Sequence, residues 1–215
     1  SGQALKDGKA SESSEANESR LIGYFGRLNY SYKGKYMFAA SIRHEGSTKF
    51  GADHKWGNFP SASVAWNIKD EDFLTDTKAL SILKLRAGYG ITGTVPSNPY
   101  MSLNTLNFGT YVYYGGEWIK TIRPDSNANP DLRWEKKKEV NIGIDFGFFD
   151  DVITGNIDYY NRKTEDLLWN YTVPSPPYLF STMVANAGSM RNQGVEIGVS
   201  IIPIQTKDFQ WTTSV

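Results

Sequence analysis

Residues 18–46 read ESRLIGYFGRLNYSYKGKYMFAASIRHEG. From Ile22 every second residue is apolar or aromatic apart from one glycine: Ile22, Tyr24, Gly26, Leu28, Tyr30. After Lys33-Gly34-Lys35 the alternation resumes at Tyr36, Phe38, Ala40 and Ile42. The intervening positions hold Arg27, Asn29, Ser31, Ser41 and Arg43. Successive side chains of a strand point to opposite faces, so a period of two predicts a hairpin with one greasy and one polar face. The fold turns on what the greasy face touches, a protein core or lipid.

The same pattern recurs along the chain. A third segment spans 58–68, with Ala62, Val64, Trp66 and Ile68 on one face. A fourth, 83–91, alternates Leu83, Leu85, Ala87, Tyr89 and Ile91 with Lys84, Arg86, Gly88 and Gly90. A fifth, 134–148, sets Val140, Ile142, Ile144, Phe146 and Phe148 against Glu139, Asn141, Gly143 and Asp145. A sixth, 152–162, sets Ile153, Gly155, Ile157 and Tyr159 against Asn156, Asp158 and Arg162. A seventh, 193–204, sets Val195, Ile197, Val199 and Ile201 against Glu196, Gly198 and Ser200, and an eighth begins at Phe209. Most segments match the roughly 9–11 residues that a tilted strand needs to cross a bilayer. The predicted class is all-β and antiparallel.

Composition narrows the function classes. The chain of 215 residues holds 23 basic and 23 acidic residues, so no net field favours nucleic acid. Cysteine is absent, which excludes disulfides and thiolate metal sites. The chain has no run of 18 apolar residues that would read as a transmembrane helix, and barrel strands hide their signal in alternation. The first 17 residues are polar, lack a signal-peptide core, and read as an extracellular loop remnant. Both ends look cut, so the chain is expected to be a piece of a longer protein.

Connections alternate in length. Residues 33–35, 149–151 and 205–208 are short, whereas 46–57, 93–133 and 167–192 are long. Transmembrane barrels show this asymmetry, with tight periplasmic turns and long extracellular loops. The connection 69–82 breaks the short set, and its Asp70-Glu71-Asp72 followed by Phe73, Leu74, Leu80 and Ile82 predicts a short helix. Tyr30, Tyr32, Tyr36, Trp66, Phe146 and Phe148 bunch near the short turns, as an interfacial aromatic girdle would. A soluble sandwich also carries one apolar face per strand and stays open as the alternative at this point.

A resemblance adds to this reading. YFGRLNYSYKGKYMFAASIRHEGSTKFG, WGNFPSASVAWNI, EDFL, LKLRAGYGITG, NPDLRWEKKKEVNIGIDFGFF, IDYYNRKTEDLL and NAGSMRNQGVEI occur in this order. Together they resemble the barrel of SusC/RagA-type TonB-dependent outer-membrane transporters, from about Glu18 onward. The resemblance implies a 22-stranded up-and-down barrel with an N-terminal plug, of which residues 18–215 form about eight strands of the wall. It implies an importer of oligosaccharides, in some members peptides, driven through TonB by way of a missing N-terminal region. It also implies a SusD-like lipoprotein lid, location in the outer membrane, and no bond chemistry. The plug and the C-terminal strands are expected to be absent. A peptide or siderophore importer of the same architecture and a soluble, non-transporting structural β-domain are the rival readings.

Within that frame the residues fall into sets. Ile22, Tyr24, Leu28, Tyr30, Phe38, Ile42, Val64, Trp66, Leu85, Tyr89, Ile142, Ile144, Phe146, Ile157, Tyr159, Ile197 and Val199 are expected to face lipid. Arg27, Arg43, Lys84, Arg86, Glu139, Asp145, Asp158 and Glu196 are expected to line the lumen. In the long connection NFGTYVYYGGEW, residues Tyr111, Tyr113, Tyr114 and Trp118 are the candidate ligand contacts, because flat aromatic faces suit sugar rings. Packing of the loop onto its neighbours or onto the lid is the plainer reading. Trp56, Trp169 and Tyr178 are weaker candidates of the same kind.

Three further patterns invite chemistry. Gly88 to Gly93 matches G-x-G-x-x-G, but Pro96 and Pro99 forbid the helix that a dinucleotide site requires. DSNANPD at 125–131 spaces oxygens like a calcium loop but lacks the turn glycine and the closing glutamate, so a polar loop is expected. His44 and His54 flank one long connection without a cluster around them, and no cofactor or metal is expected.

Overall fold

The computed structural model describes residues 4–6, 9–11 and 17–215. Its strands are β1 (Ala4–Lys6), β2 (Lys9–Ser11), β3 (Leu21–Tyr32), β4 (Tyr36–Ser47), β5 (Trp56–Asn67), β6 (Leu80–Thr94) and β7 (Leu106–Tyr114). They continue with β8 (Glu117–Pro124), β9 (Glu135–Phe148), β10 (Ile153–Glu165), β11 (Leu168–Thr172), β12 (Thr182–Asn186), β13 (Ser189–Gln205) and β14 (Gln210–Ser214). Eight of them form one antiparallel sheet in the order β14-β13-β10-β9-β6-β5-β4-β3. The other six pair as three small hairpins, β1-β2, β7-β8 and β11-β12. Neighbours in the large sheet are neighbours in its chain order, so it is an up-and-down meander. The expected loop remnant at 1–17 lies largely outside the described residues.

Register carries the alternation across the whole sheet. One row runs Leu28, Ala40, Ala62, Tyr89, Val140 through paired positions. The next rows run Tyr30, Phe38, Val64, Ala87, Ile142, Tyr159, Val195 and Tyr32, Tyr36, Trp66, Leu85, Ile144, Ile157, Ile197. The row through Val140 ends in two polar residues, Asn161 and Gln193. A slip of one residue would turn every side chain over, so the predominantly apolar face fixes the register.

This face has no second layer against it. Among the described residues only Phe50, Phe59, Leu132 and Trp134 are buried hydrophobics. The accessible surface is 15446 Å², against roughly 10,000 Å² for a globular monomer of this mass. A sandwich would bury its strand faces against each other, and this sheet leaves Leu28, Ile142 and Ile197 open at 62%, 46% and 64%.

The turns follow local chemistry. Between β3 and β4 the Lys35 N–H donates to the Tyr32 carbonyl at 3.0 Å, with Lys33 and Gly34 both at positive φ. That backbone matches the twist of the flanking strands. The predicted helix after Asp70 is replaced by two 3₁₀ turns, Ile68–Asp70 and Asp72–Leu74. Glu71 between them is extended because its side chain reaches back to the sheet: Tyr36 Oη and Trp66 Nε1 donate to its Oε1 at 2.5 and 3.0 Å. Both long connections after β6 and β10 also contain structure, the β7-β8 and β11-β12 hairpins.

Candidate functional site

The polar face gathers the eight residues expected to line a lumen. Ladder pairing puts Arg27, Glu139 and Arg162 in one row and Arg86, Gly143, Asp158 and Glu196 in another, while Lys84 sits between Asn67 and Asp145. Arg43 lies on the same face and pairs with Glu45, whose side chain is buried. All seventeen residues expected to meet lipid occupy the opposite face.

Arg86 organises the centre of the polar face. Its Nε and Nη2 donate to Asp145 at 2.8 and 2.7 Å, and Nη2 also reaches Asp158 Oδ2 at 3.2 Å. Asn156 Nδ2 donates to the same Asp158 oxygen at 2.6 Å. The guanidinium crosses β9 to reach β10, and Gly143 makes room for it. A Cβ there would sit 2.2 Å from Asp158 Oδ1 and 2.8 Å from Arg86 Nη2. Higher on the face Glu139 pairs with Arg162 at 3.0 Å and with Lys137 at 3.8 Å. Such a face offers fixed charges of both signs to whatever contacts it.

The end bearing the long connections is tied together by amides. Asn127 Nδ2 donates to the Phe180 and Thr182 carbonyls at 2.6 and 3.0 Å, and Asn129 Nδ2 to Val184 at 2.9 Å. Asn129 Oδ1 accepts from the Asp131 N–H at 3.1 Å. The segment that spaces oxygens like a calcium loop therefore spends Asn127 and Asn129 on the β11-β12 region. No cluster of three or more metal-ligating side chains occurs among the described residues. Asn186 completes the clasp: its side chain brackets Arg133 by both backbone groups at 2.8 and 2.7 Å. Under the clasp lies the small core of Phe50, Phe59, Leu132 and Trp134, with Leu168 and Val184 against it.

The four candidate aromatics stand on the β7-β8 hairpin, which turns at Gly115-Gly116, both at positive φ. Pairing puts Tyr113 opposite Trp118 and Tyr111 opposite Lys120, so these share a face. Tyr114 points to the other face. Tyr113 and Trp118 meet edge-on at 5.4 Å and are exposed at 60% and 69%. A polar recess of about 570 Å³, lined by Asn98, Tyr100, Asp125 and Ser126 among others, opens at the hairpin base. Asn107 of β7 donates to Asp125 there at 3.2 Å. Trp56 lies elsewhere, on the apolar face, stacked on His44 at 4.6 Å. His54, in a 3₁₀ turn, is separate from it.

Comparison with known proteins agrees with this architecture. The family model described as TonB dependent receptor-like, beta-barrel matches residues 3–215. The TonB-dependent receptor SusC of Bacteroides thetaiotaomicron is 43% identical over 204 residues, covering 93% of this chain and 20% of that protein. TonB-dependent receptor P3 of Formosa agariphila is 36% identical over 203 residues, covering 94% and 20%. The chain thus spans about a fifth of these relatives. Among solved structures, the RagAB peptide importer in its closed-closed state superposes with a TM-score of 0.81 at 27% identity, covering 90% of this chain and 21% of that one. The siderophore receptor PirA of Pseudomonas aeruginosa superposes at 0.58 with 14% identity, a likeness of fold alone.

Proposed function

Because the chain belongs to the TonB dependent receptor-like β-barrel family, we propose that it forms part of the wall of an outer-membrane importer. The observation that carries this is the single-layered sheet with one predominantly apolar face and one charged face. Lipid offers no hydrogen bonds, so strands cross it only inside a closed ladder. Here the open edges, β3 and β14, are where further wall strands pair. The apolar face meets lipid, and the Arg86 and Glu139 networks meet the polar lumen. The wall catalyses no reaction; its part is to hold the pore and present loops at the mouth.

The cargo we propose is an oligosaccharide, taken with a SusD-like lipoprotein over the mouth and energy delivered through TonB. Support comes from the identity to SusC and from Tyr111, Tyr113 and Trp118, which share one exposed face of a hairpin whose base opens on a polar recess. Apolar sugar faces stack on such rings while recess groups bind hydroxyls. Likeness to RagAB, a peptide importer, favours a peptide as the second reading. Calorimetry on the full-length receptor with its lipoprotein, against panels of oligosaccharides and peptides, decides between them. An oligosaccharide is expected to bind, and Trp118→Ala or Tyr113→Ala to weaken it about five- to tenfold. Binding of peptides alone, unchanged in both variants, contradicts this cargo and this site.

A further inference from the structure

Above the apolar band the chemistry of the outer face changes abruptly. Ladder pairs set Ile91, Lys138, Lys163 and Arg191 side by side on β6, β9, β10 and β13. They share a face with Tyr89, Val140, Ile142 and Tyr159. One step higher Lys136 pairs with Glu165. Lys138 and Lys163 both reach Glu165, at 2.5 and 2.8 Å, and Arg191 Nε donates to the neutral amide of Asn161 at 3.0 Å. Two of these four cations therefore share the Glu165 carboxylate, and Asn161 and Gln193 sit in the row just below them on a face that is mostly apolar. Lys138 and Lys163 keep 38% and 52% of their side chains exposed, and Arg191 is exposed.

Height makes this arrangement specific. Phe148, Ile153 and Ile201 form one row at the short-turn end, and Lys138, Lys163 and Arg191 form the row ten residues above it. Ten residues at about 3.3 Å, tilted by about 40°, climb roughly 25 Å, the height of an apolar barrel band. The cations thus stand where lipid head groups begin. Toward the long-loop end of β3-β5, two to four residues beyond the ladder row of the cations, Tyr24, His44 and Trp56 stack within 4.6–6.4 Å of one another, as an interfacial aromatic cluster does.

We propose that this basic ledge binds the phosphate of a phosphorylated lipid in the leaflet at the long-loop end. The acyl chains lie on Tyr89, Val140, Ile142, Tyr159 and Val195 below it. Lys138, Lys163 and Arg191 donate to the phosphate oxygens through charge-assisted hydrogen bonds, which are stronger at the edge of a low-dielectric layer than in water. The inference rests on the barrel-wall reading, since only then does this face meet lipid.

Native mass spectrometry of the full-length receptor, supplied with lipid A carrying two, one or no phosphates, tests it. Affinity is expected to rise with phosphate number, and inorganic phosphate is expected not to displace the lipid. The triple variant K138Q/K163Q/R191Q should bind the bisphosphorylated lipid at least tenfold more weakly and the phosphate-free lipid as the parent does. K138R/K163R/R191K should stay within about twofold of the parent. Should the triple variant fail to fold, K163Q alone is expected to lose about threefold. Equal binding by the glutamine variants, or displacement by inorganic phosphate, overturns the ledge. A parent receptor that retains no lipid of any kind overturns the barrel-wall reading with it.

Discussion

Glu71 accepts hydrogen bonds from both members of a stacked aromatic pair and from the Lys35 ammonium at 3.2 Å. Tyr36 and Trp66 stack at 6.2 Å on the outer face, so one turn carboxylate pins two strands at the short-turn end. The Tyr36 hydroxyl first, and then the Trp66 indole, hold the Glu71 carboxyl below its ordinary 4.5. A depressed carboxylate stabilises the fold fully above about pH 4.5 and loses that contribution as pH falls through the lowered value. Thermal unfolding of the full receptor should therefore show a loss of stability below pH 4.5 that Glu71→Gln removes, at the cost of a lower midpoint at pH 7. An unchanged acid limb in the variant contradicts this role. Gly143→Val is the counterpart on the polar face. Its side chain would displace Arg86 or Asp158, and overpacking of this kind costs about 1–3 kcal/mol. Denaturant titration of the variant receptor reads it, and a midpoint equal to the parent's contradicts the need for glycine there. Neither residue was legible in the sequence. Glu71 read as part of a helix start, because nothing local says that its carboxylate returns across 35 residues to Tyr36. Asn127 and Asn129 read as calcium-loop spacing for the same reason, their partners lying 53 and 55 residues away.

At the scale of elements, sequence and structure agree where period two rules. All eight strands were legible, since alternation over about ten residues has no helical equivalent. Their ends were less so. β6 begins at Leu80, three residues ahead of the alternating run, and β13 extends back to Ser189. These strands outrun the apolar band, and beyond it the alternation that marks them stops. The β7-β8 and β11-β12 hairpins were missed inside long connections, although Gly115-Gly116 between Val112 and Ile119 signalled the first of them. The cations at 136, 138, 163 and 191 escaped notice because each was read within its own strand; only the register sets them in one patch. The two faces make a direct prediction for β9. Ile142→Arg, near mid-band, should cost the full receptor about 2–4 kcal/mol of folding free energy in lipid. Asn141→Arg, one residue away on the polar face, should cost much less. Equilibrium refolding into vesicles measures both, and equal penalties would contradict the opposed faces.

The whole molecule is a sheet in search of its closure. Its surface exceeds that of a globular protein of its mass by about half, and the excess is apolar on one side and charged on the other. Both edges present unpaired backbone groups. The small core under the asparagine clasp anchors the loops and leaves the strand faces free. Family membership and superposition on RagAB then fit a physical requirement already visible in the chain: that this apolar face be covered. The chain contains no cysteine, so each label on it enters at a single introduced cysteine, with any cysteine elsewhere in the receptor replaced. The measurement that reaches the claim most directly is a nitroxide scan of 139–148 in the full-length receptor in lipid bilayers. Its readout is accessibility to oxygen and to a water-soluble nickel reagent. The account predicts an alternation of period two. Positions 140, 142, 144 and 146 should favour oxygen, with a maximum at mid-band, and 139, 141, 143 and 145 should favour nickel or be shielded from both. Nickel access at 142 and 144, or no alternation at all, would show that the apolar face does not meet lipid.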